Sequence, residues 1–373
     1  MCKRPIAGVV WQTLHYLLGL RRLGLDVYYA ECHGKWVPNP VGQPDGSYPG
    51  QIAVGDTLKQ FGMSDRWFCW ADRSKGLSFG MSHHSLLKLY QEVETLINLC
   101  AQHVLDDDML RCPRRVYLES DPGEPQILLS QGDQSRKALL DAHTHYFTFG
   151  ENLRASDCLL PIPEYAYRPT RQPVLLDMWN TPFDAGCDRF TTIAKWAQRS
   201  QGFEFGDTYY WSKHLEFLRF IELPQRTTGI LELALDKIGE EQRSKLRAYG
   251  WAVSDAVALS SSLCEYQRYI QRSRGEFTVA KDVYVRLRSG WFSDRSACYL
   301  AGGKPVITQD TGFGNILPTG RGLFAFRTME DILAALDSIN GDYPGHCRAA
   351  REIAAEYFDS HKVLQNLLNQ IDL

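Results

Sequence analysis

The stretch RSGWFSDRSACYLAGGKPVITQDTG, residues 288–312, decides how this chain is read. Ser293 is a strong N-cap, Asp294 suits the positive end of a helix, and residues 297–301 continue it. Gly302 and Gly303 stop the helix before Pro305, and Val306, Ile307 and Thr308 form a β-prone run. The spacing predicts a short helix feeding a parallel strand, the repeating unit of an α/β sheet. Arg295 is the anomaly, because it places a cation in the first turn, where the helix macrodipole disfavours positive charge by up to about 1 kcal/mol. A bound anion would remove that conflict. Ser289 and Gly290 let backbone approach closely, the helix start offers N–H groups at Ser293, and Arg295 adds a charge-assisted bond, so the segment reads as a diphosphate site. The alternative is an arginine paired with Asp294 or Glu276.

The same alternation extends in both directions. Residues 11–31 read as helix, turn and strand, with Trp11, Leu14, Leu17, Leu18 and Leu20 at helical spacing and Gly24 as the stop. That is half of a βαβ unit, and the strand that should precede it is missing or very short. Residues 34–50 and 74–85 lack periodicity and read as loops. A helix over 86–96 and strands over 97–100, 115–119 and 145–149 follow. Residues 161–173 hold four prolines and read as a stiff connector. Beyond it come strands over 190–194 and 229–234, helices over 213–220, 240–249 and 263–273, and two helices in succession from 346. The domains are accordingly placed at 1–165 and 166–345, with C-terminal helices over 346–373.

Composition excludes several classes. With 373 residues, 44% of them hydrophobic, the chain supports two cores. Its 41 Lys+Arg against 44 Asp+Glu give a formal net charge of -3, which argues against a nucleic-acid binder. The ten cysteines are scattered without metal-site spacing and read as reduced thiols. No segment is long enough to span a bilayer, and Gln12, Thr13 and His15 interrupt the apolar run that follows Lys3 and Arg4, so the expected location is cytoplasmic.

The pattern S-x-R-x-x-x-x-x-A-x-G-K-P-V, carried by Ser293, Arg295, Ala301, Gly303, Lys304, Pro305 and Val306, resembles the donor-helix segment of bacterial GT-B glycosyltransferases. The resemblance implies an α/β chain of two Rossmann-like domains facing a cleft, with C-terminal helices crossing back to the N-terminal domain. It implies transfer of a sugar from a nucleoside-diphosphate sugar to a small-molecule, glycan or lipid-linked acceptor, with no cofactor and no metal. In that reading Lys213 and Lys281 join Arg295 in neutralising the leaving diphosphate. Gly8, in a turn before the first helix, lies near donor phosphates and acceptor. Trp291, Asp310 and Glu151 complete the cleft. The sequence departs from the family at Cys298, where retaining members carry a ribose-binding Glu, and at Gly290, where the other Glu of their pair would fall.

Asp121, after a strand and within SDPG, is a candidate general base for an acceptor hydroxyl. His145 shares a strand face with His143 and is the second catalytic candidate; further ligands for zinc are absent. Asp106, Asp107 and Asp108 read as a solvated turn rather than a metal-binding D-x-D. Two other readings stay open: a nucleotide-sugar epimerase, and a non-catalytic nucleotide-sugar or partner-binding protein.

Overall fold

A computed structural model describes residues 1–2, 6–32, 48–162, 164–198 and 202–373. The loop expected over 34–50 falls almost wholly outside them. Helix α1 (Ala7–Arg22) buries Trp11, Leu14, Leu17 and Leu18 and leads to the short strand β1 (Tyr29–Glu31). Then come α2 (Pro49–Gln60), β2 (Trp67–Asp72), β3 (Leu77–Gly80) and α3 (His83–Glu92), whose N-cap Ser82 accepts the N–H of Ser85. Residues 74–85, expected to be irregular, thus contain an antiparallel edge strand and a helix start. The strand pairs on one side only, so little of its pattern is imposed by burial.

A second set comprises β4 (Thr95–Leu99), β5 (Arg114–Glu119), α4 (Glu124–Ser130), α5 (Gln134–Asp141), β6 (His145–Thr148) and β7 (Tyr167–Pro169). These strands form a parallel sheet in the order β4-β5-β6-β7, separate from the sheet β1-β2-β3. Strand β7 lies inside the proline-rich connector and pairs with β6; Pro169 is tolerated because β7 is the edge.

The C-terminal half opens with β8 (Arg189–Lys195), the hairpin β9 (Phe203–Phe205) and β10 (Asp207–Tyr209), α6 (His214–Arg219), β11 (Ile230–Asp236), α7 (Glu240–Ala248), β12 (Ala252–Asp255), α8 (Ala256–Leu259) and α9 (Leu263–Gln271). It continues with β13 (Gly275–Thr278), α10 (Asp282–Leu287), α11 (Asp294–Ala301), β14 (Val306–Gln309), β15 (Leu323–Phe326) and α12 (Met329–Gly341). Six parallel strands pair in the order β12-β11-β8-β13-β14-β15. Every residue of β13 and β14 is buried, as befits strands covered by helices on both faces.

Helix α13 (Tyr343–Ile353), a π-helical turn over Ala354–Phe358 and α14 (Ser360–Asn369) return the chain to the first half. Leu364, Leu367, Leu368 and Ile371 share a core with Tyr16 and Leu20 of α1 and with Val116, Leu118 and Phe147. The outward and returning crossings run side by side, since Val174 N–H donates to Phe358 O (2.7 Å) and Ser360 N–H to Val174 O (3.0 Å). A cavity of about 1250 Å³ opens between the halves. No described helix is long and apolar enough to cross a membrane.

Candidate active site

Residues from both halves line the cavity, among them Gly8, Asp121, Lys213, Lys281, Trp291, Ser293, Asp294 and Arg295. The N-terminal half contributes Asp121 just past the carboxyl end of β5, the end of a parallel strand where ligands characteristically sit. The C-terminal half contributes the N-cap of α10, Lys281, and the start of α11. Ser293 occupies the N-cap of α11 as expected, but its hydroxyl makes no capping bond.

Three cations converge here with different partners. Lys281 is buried; its Nζ donates to Asp121 Oδ1 (2.9 Å) and Tyr284 Oη (3.1 Å) and lies 3.8 Å from the Trp211 ring centroid. Arg295 donates from Nε to Glu276 Oε1 (2.5 Å), from Nη1 to Ile193 O (2.6 Å) and from Nη2 to Thr278 Oγ1 (3.0 Å). Glu276 is fully buried, so the carboxylate of β13 already offsets the unfavourable charge in the first turn of α11. The pairing with Glu276, the alternative to an unpaired anion ligand, is therefore present. Arg295 nonetheless lines the cavity with two of its five N–H groups outside these bonds.

Lys213 is the cation left over. It precedes α6 directly, and among the described residues it makes no ion pair; its contact is the Trp291 ring, 5.7 Å away. Burial pushes its ammonium well below the usual lysine range, and the charges of Arg295 and Lys281 push it further. A desolvated, repelled ammonium facing a cavity is an unfavourable arrangement until an anion enters.

Asp121 keeps 52% of its side chain exposed and also accepts a hydrogen bond from Tyr284 Oη. Packing at the cleft floor pushes its carboxyl up, but Lys281 and the bonds from Tyr284 and Lys281 win and hold it below the usual carboxylate range. Asp294 behaves oppositely: burial raises it, Arg295 only partly compensates, and the charge of Asp121 raises it further. Trp291 donates from Nε1 to Ser120 O (3.0 Å) and stacks on Tyr284 at 4.6 Å, so an aromatic wall backs both lysines.

Several sequence candidates fall elsewhere. His145 stands at the amino end of β6, opposite the end that opens on the cleft, and does not line the cavity. Glu151 is bound to Arg171, and Asp310 to Arg288 and Arg327, so both carboxylates are committed to bracing loops. Ser289 accepts the Trp291 N–H on its hydroxyl and the Asn152 N–H on its carbonyl. Gly290 has φ +81°, and a Cβ there would collide with the backbone nitrogen of Asn152. Both residues thus join the two halves rather than line the cavity. Gly8 lies in the first turn of α1, not before it, and its surroundings would accept a Cβ at ordinary contact with Tyr266. Asp106 and Asp108 pair with Arg73 and Arg111, as a solvated turn does. All ten cysteines are free. The fold groups Cys2, Glu31 and Cys69, whose potential ligand atoms lie within 4.8 Å of one another, and sequence spacing gave no hint of this. Trp211, Tyr284 and Asp294 also escape sequence reading as site residues, being single members of common residue types.

HepE of Anabaena in complex with UDP superposes with a TM-score of 0.54 at 11% identity, covering 93% of this chain and 100% of that one. The same protein with UDP-glucose gives 0.51 at 10% identity with the same coverage. HepE is a GT-B protein of two Rossmann-like domains. This chain has the GT-B fold. AviGT4, a glycosyltransferase involved in avilamycin A biosynthesis, superposes with a TM-score of 0.50 at 12% identity, covering 97% of this chain and 88% of that one. No family model matches the sequence. No curated protein matches it either. In GT-B terms the parallel sheets of the two halves face each other across the cavity, and Lys213, Lys281 and α11 stand on its C-terminal wall.

Proposed function

We propose that this GT-B chain is a glycosyltransferase that moves a sugar from a nucleoside-diphosphate sugar to an acceptor hydroxyl or amine, without a metal. The observation that carries the proposal is Lys213: an ammonium that lines the cavity beside the first turn of α11 and makes no ion pair among the described residues. A diphosphate placed there meets Lys213, the remaining donors of Arg295 and the positive end of α11, and gains charge-assisted bonds in a site of low dielectric. The same cations stabilise the charge that develops on the leaving diphosphate, the role a divalent metal otherwise fills. HepE, which shares the fold, is known in complex with UDP and UDP-glucose, so uridine nucleotides are the first probes.

On the acceptor side Asp121 orients the attacking group. While paired with Lys281 it is a weak base. When Lys281 turns toward the diphosphate, Asp121 loses its counter-charge and its affinity for the acceptor proton rises, so donor binding and base activation are linked. Closure of the cleft excludes water and limits donor hydrolysis.

The test is release of nucleoside diphosphate from a panel of nucleotide sugars, with and without an acceptor library. Acceptor-dependent release, abolished in Asp121→Asn, supports transfer. Binding without release points to a binding protein, and conversion of donor alone points to an epimerase.

A further inference from the structure

Strands β1 and β2 pair in parallel with Glu31 beside Cys69, so these two side chains share one face of the sheet. Cys2, from the segment that leads to α1, packs onto the same face, and all three residues are buried. Two sulfurs and a carboxylate oxygen thereby lie within 4.8 Å of one another. Atoms so spaced share a centre no more than about 2.8 Å from each (4.8 Å divided by √3), too near for a nonbonded atom to stand there, whereas zinc bonds sulfur at about 2.3 Å and carboxylate oxygen at about 2.0–2.2 Å. The carboxylate is already oriented, since Glu31 Oε2 accepts the Met1 nitrogen (2.7 Å), the Cys2 N–H (2.6 Å) and Tyr29 Oη (2.6 Å). Outer bonds of this kind hold ligating carboxylates in place. Cys2 and Cys69 belong to the apolar core that also contains Val54, Leu58 and Trp67, where attraction between thiolates and a cation is little screened.

We propose that Cys2, Cys69 and Glu31 hold one zinc ion. Two sulfurs select a thiophilic metal and the single oxygen suits zinc, whereas calcium and magnesium take oxygen donors. Binding displaces the two thiol protons to the buffer, so zinc(II) meets two thiolates and one carboxylate. Met1 and Glu31 also line the cleft cavity, and water from it completes the fourth position. The ion joins three separate stretches, the approach to α1, β1 and β2, and so fixes the amino end of α1 against the sheet. Lys213, Lys281 and Arg295 are not among its ligands, so the leaving diphosphate is still neutralised by side chains alone.

The experiment loads the reduced full chain with zinc or, anaerobically, with cobalt(II), removes loosely held metal by dialysis, and measures metal content and absorption. The expected result is about one ion per chain, a thiolate-to-cobalt charge-transfer band together with the visible bands of tetrahedral cobalt, and a Tm about 3 °C or more above that of the metal-free chain. Cys2→Ser and Cys69→Ser should each weaken the charge-transfer band and lower zinc affinity by about 100-fold or more. Glu31→Gln should keep the band but lower affinity by about tenfold or more, and Cys264→Ser, at an exposed thiol, should change neither. Loss of all metal on dialysis overturns the inference, as does a band of equal intensity in Cys2→Ser and Cys69→Ser. Unchanged zinc affinity in Glu31→Gln also overturns it, and this variant, which retains both thiols, reads the site if the serine variants do not fold. No nucleotide takes part, so the outcome is independent of the proposed activity.

Discussion

Replacing Lys213 with methionine separates a ligand cation from a structural one. The side chain keeps most of its length and an apolar stem but loses the ammonium, which makes no ion pair among the described residues and is repelled by Arg295 and Lys281. Removing a half-buried charge that Glu276 and Asp294 offset only in part should stabilise the free protein by about 1 kcal/mol, a rise in Tm of about 2 °C for a chain of this size. The sign follows from linkage. The folded-state pKa lies below the unfolded one, so the unfolded chain binds more protons and the wild type gains stability as pH rises; the advantage of the variant is therefore largest at low pH and fades as pH approaches the ordinary lysine value. Diphosphate affinity should move the other way, falling about 10- to 100-fold with the loss of one charge-assisted bond of about 1.5–3 kcal/mol. Binding to the wild type should also draw a proton onto Lys213, seen in calorimetry as a heat that depends on the ionisation enthalpy of the buffer. A variant that melts lower and binds UDP unchanged would refute the reasoning.

Other perturbations follow from the same geometry. Arg295→Ala should destabilise by about 3–5 kcal/mol, because it strands Glu276 as an unpaired charge with no exposure; denaturant titration reads it, and the double variant with Glu276→Gln should recover part of the loss. Gly8→Ala should leave Tm within about 1 °C, since a Cβ there meets Tyr266 only at ordinary contact distance, yet it should weaken donor binding if ligand passes over the first turn of α1. Glu119 is pushed up to about 7 by burial, against bonds from Thr148 and Gln126 that favour its charge. Its protonated form stabilises the fold below about pH 4.5, and that contribution, about 3 kcal/mol, is lost as pH rises through 7. Urea unfolding at pH 5 and pH 8 should show the loss in the wild type and not in Glu119→Gln.

The α11 segment was legible because caps, glycines and a proline act through local chemistry, and the structure starts α11 at Asp294 behind Ser293. The partner of Arg295 was named only as an alternative, because Glu276 lies 19 residues away and reaches it through strand pairing that no local pattern encodes. Lys213 could be singled out by position, but its significance lies in making no ion pair among the described residues, a property of the packed cleft. His145 was misplaced toward the site because alternation places a residue on a face of its strand but does not say which end of the sheet opens on the cleft. Strands β3 and β7 went unread for a shared reason: as edges they are short, half-buried and free to carry Gly80 or Pro169. Gly290 was expected at the ligand, whereas it allows one half of the molecule to approach Asn152 of the other.

The most direct measurement is calorimetric titration of the wild-type chain with UDP, GDP, ADP and TDP at two ionic strengths without divalent metal. At least one should bind, with proton uptake, an affinity that weakens as salt rises, and a marked loss in Lys213→Met. Failure of all four to bind at millimolar concentration would contradict the assignment of the α11 wall as a diphosphate site.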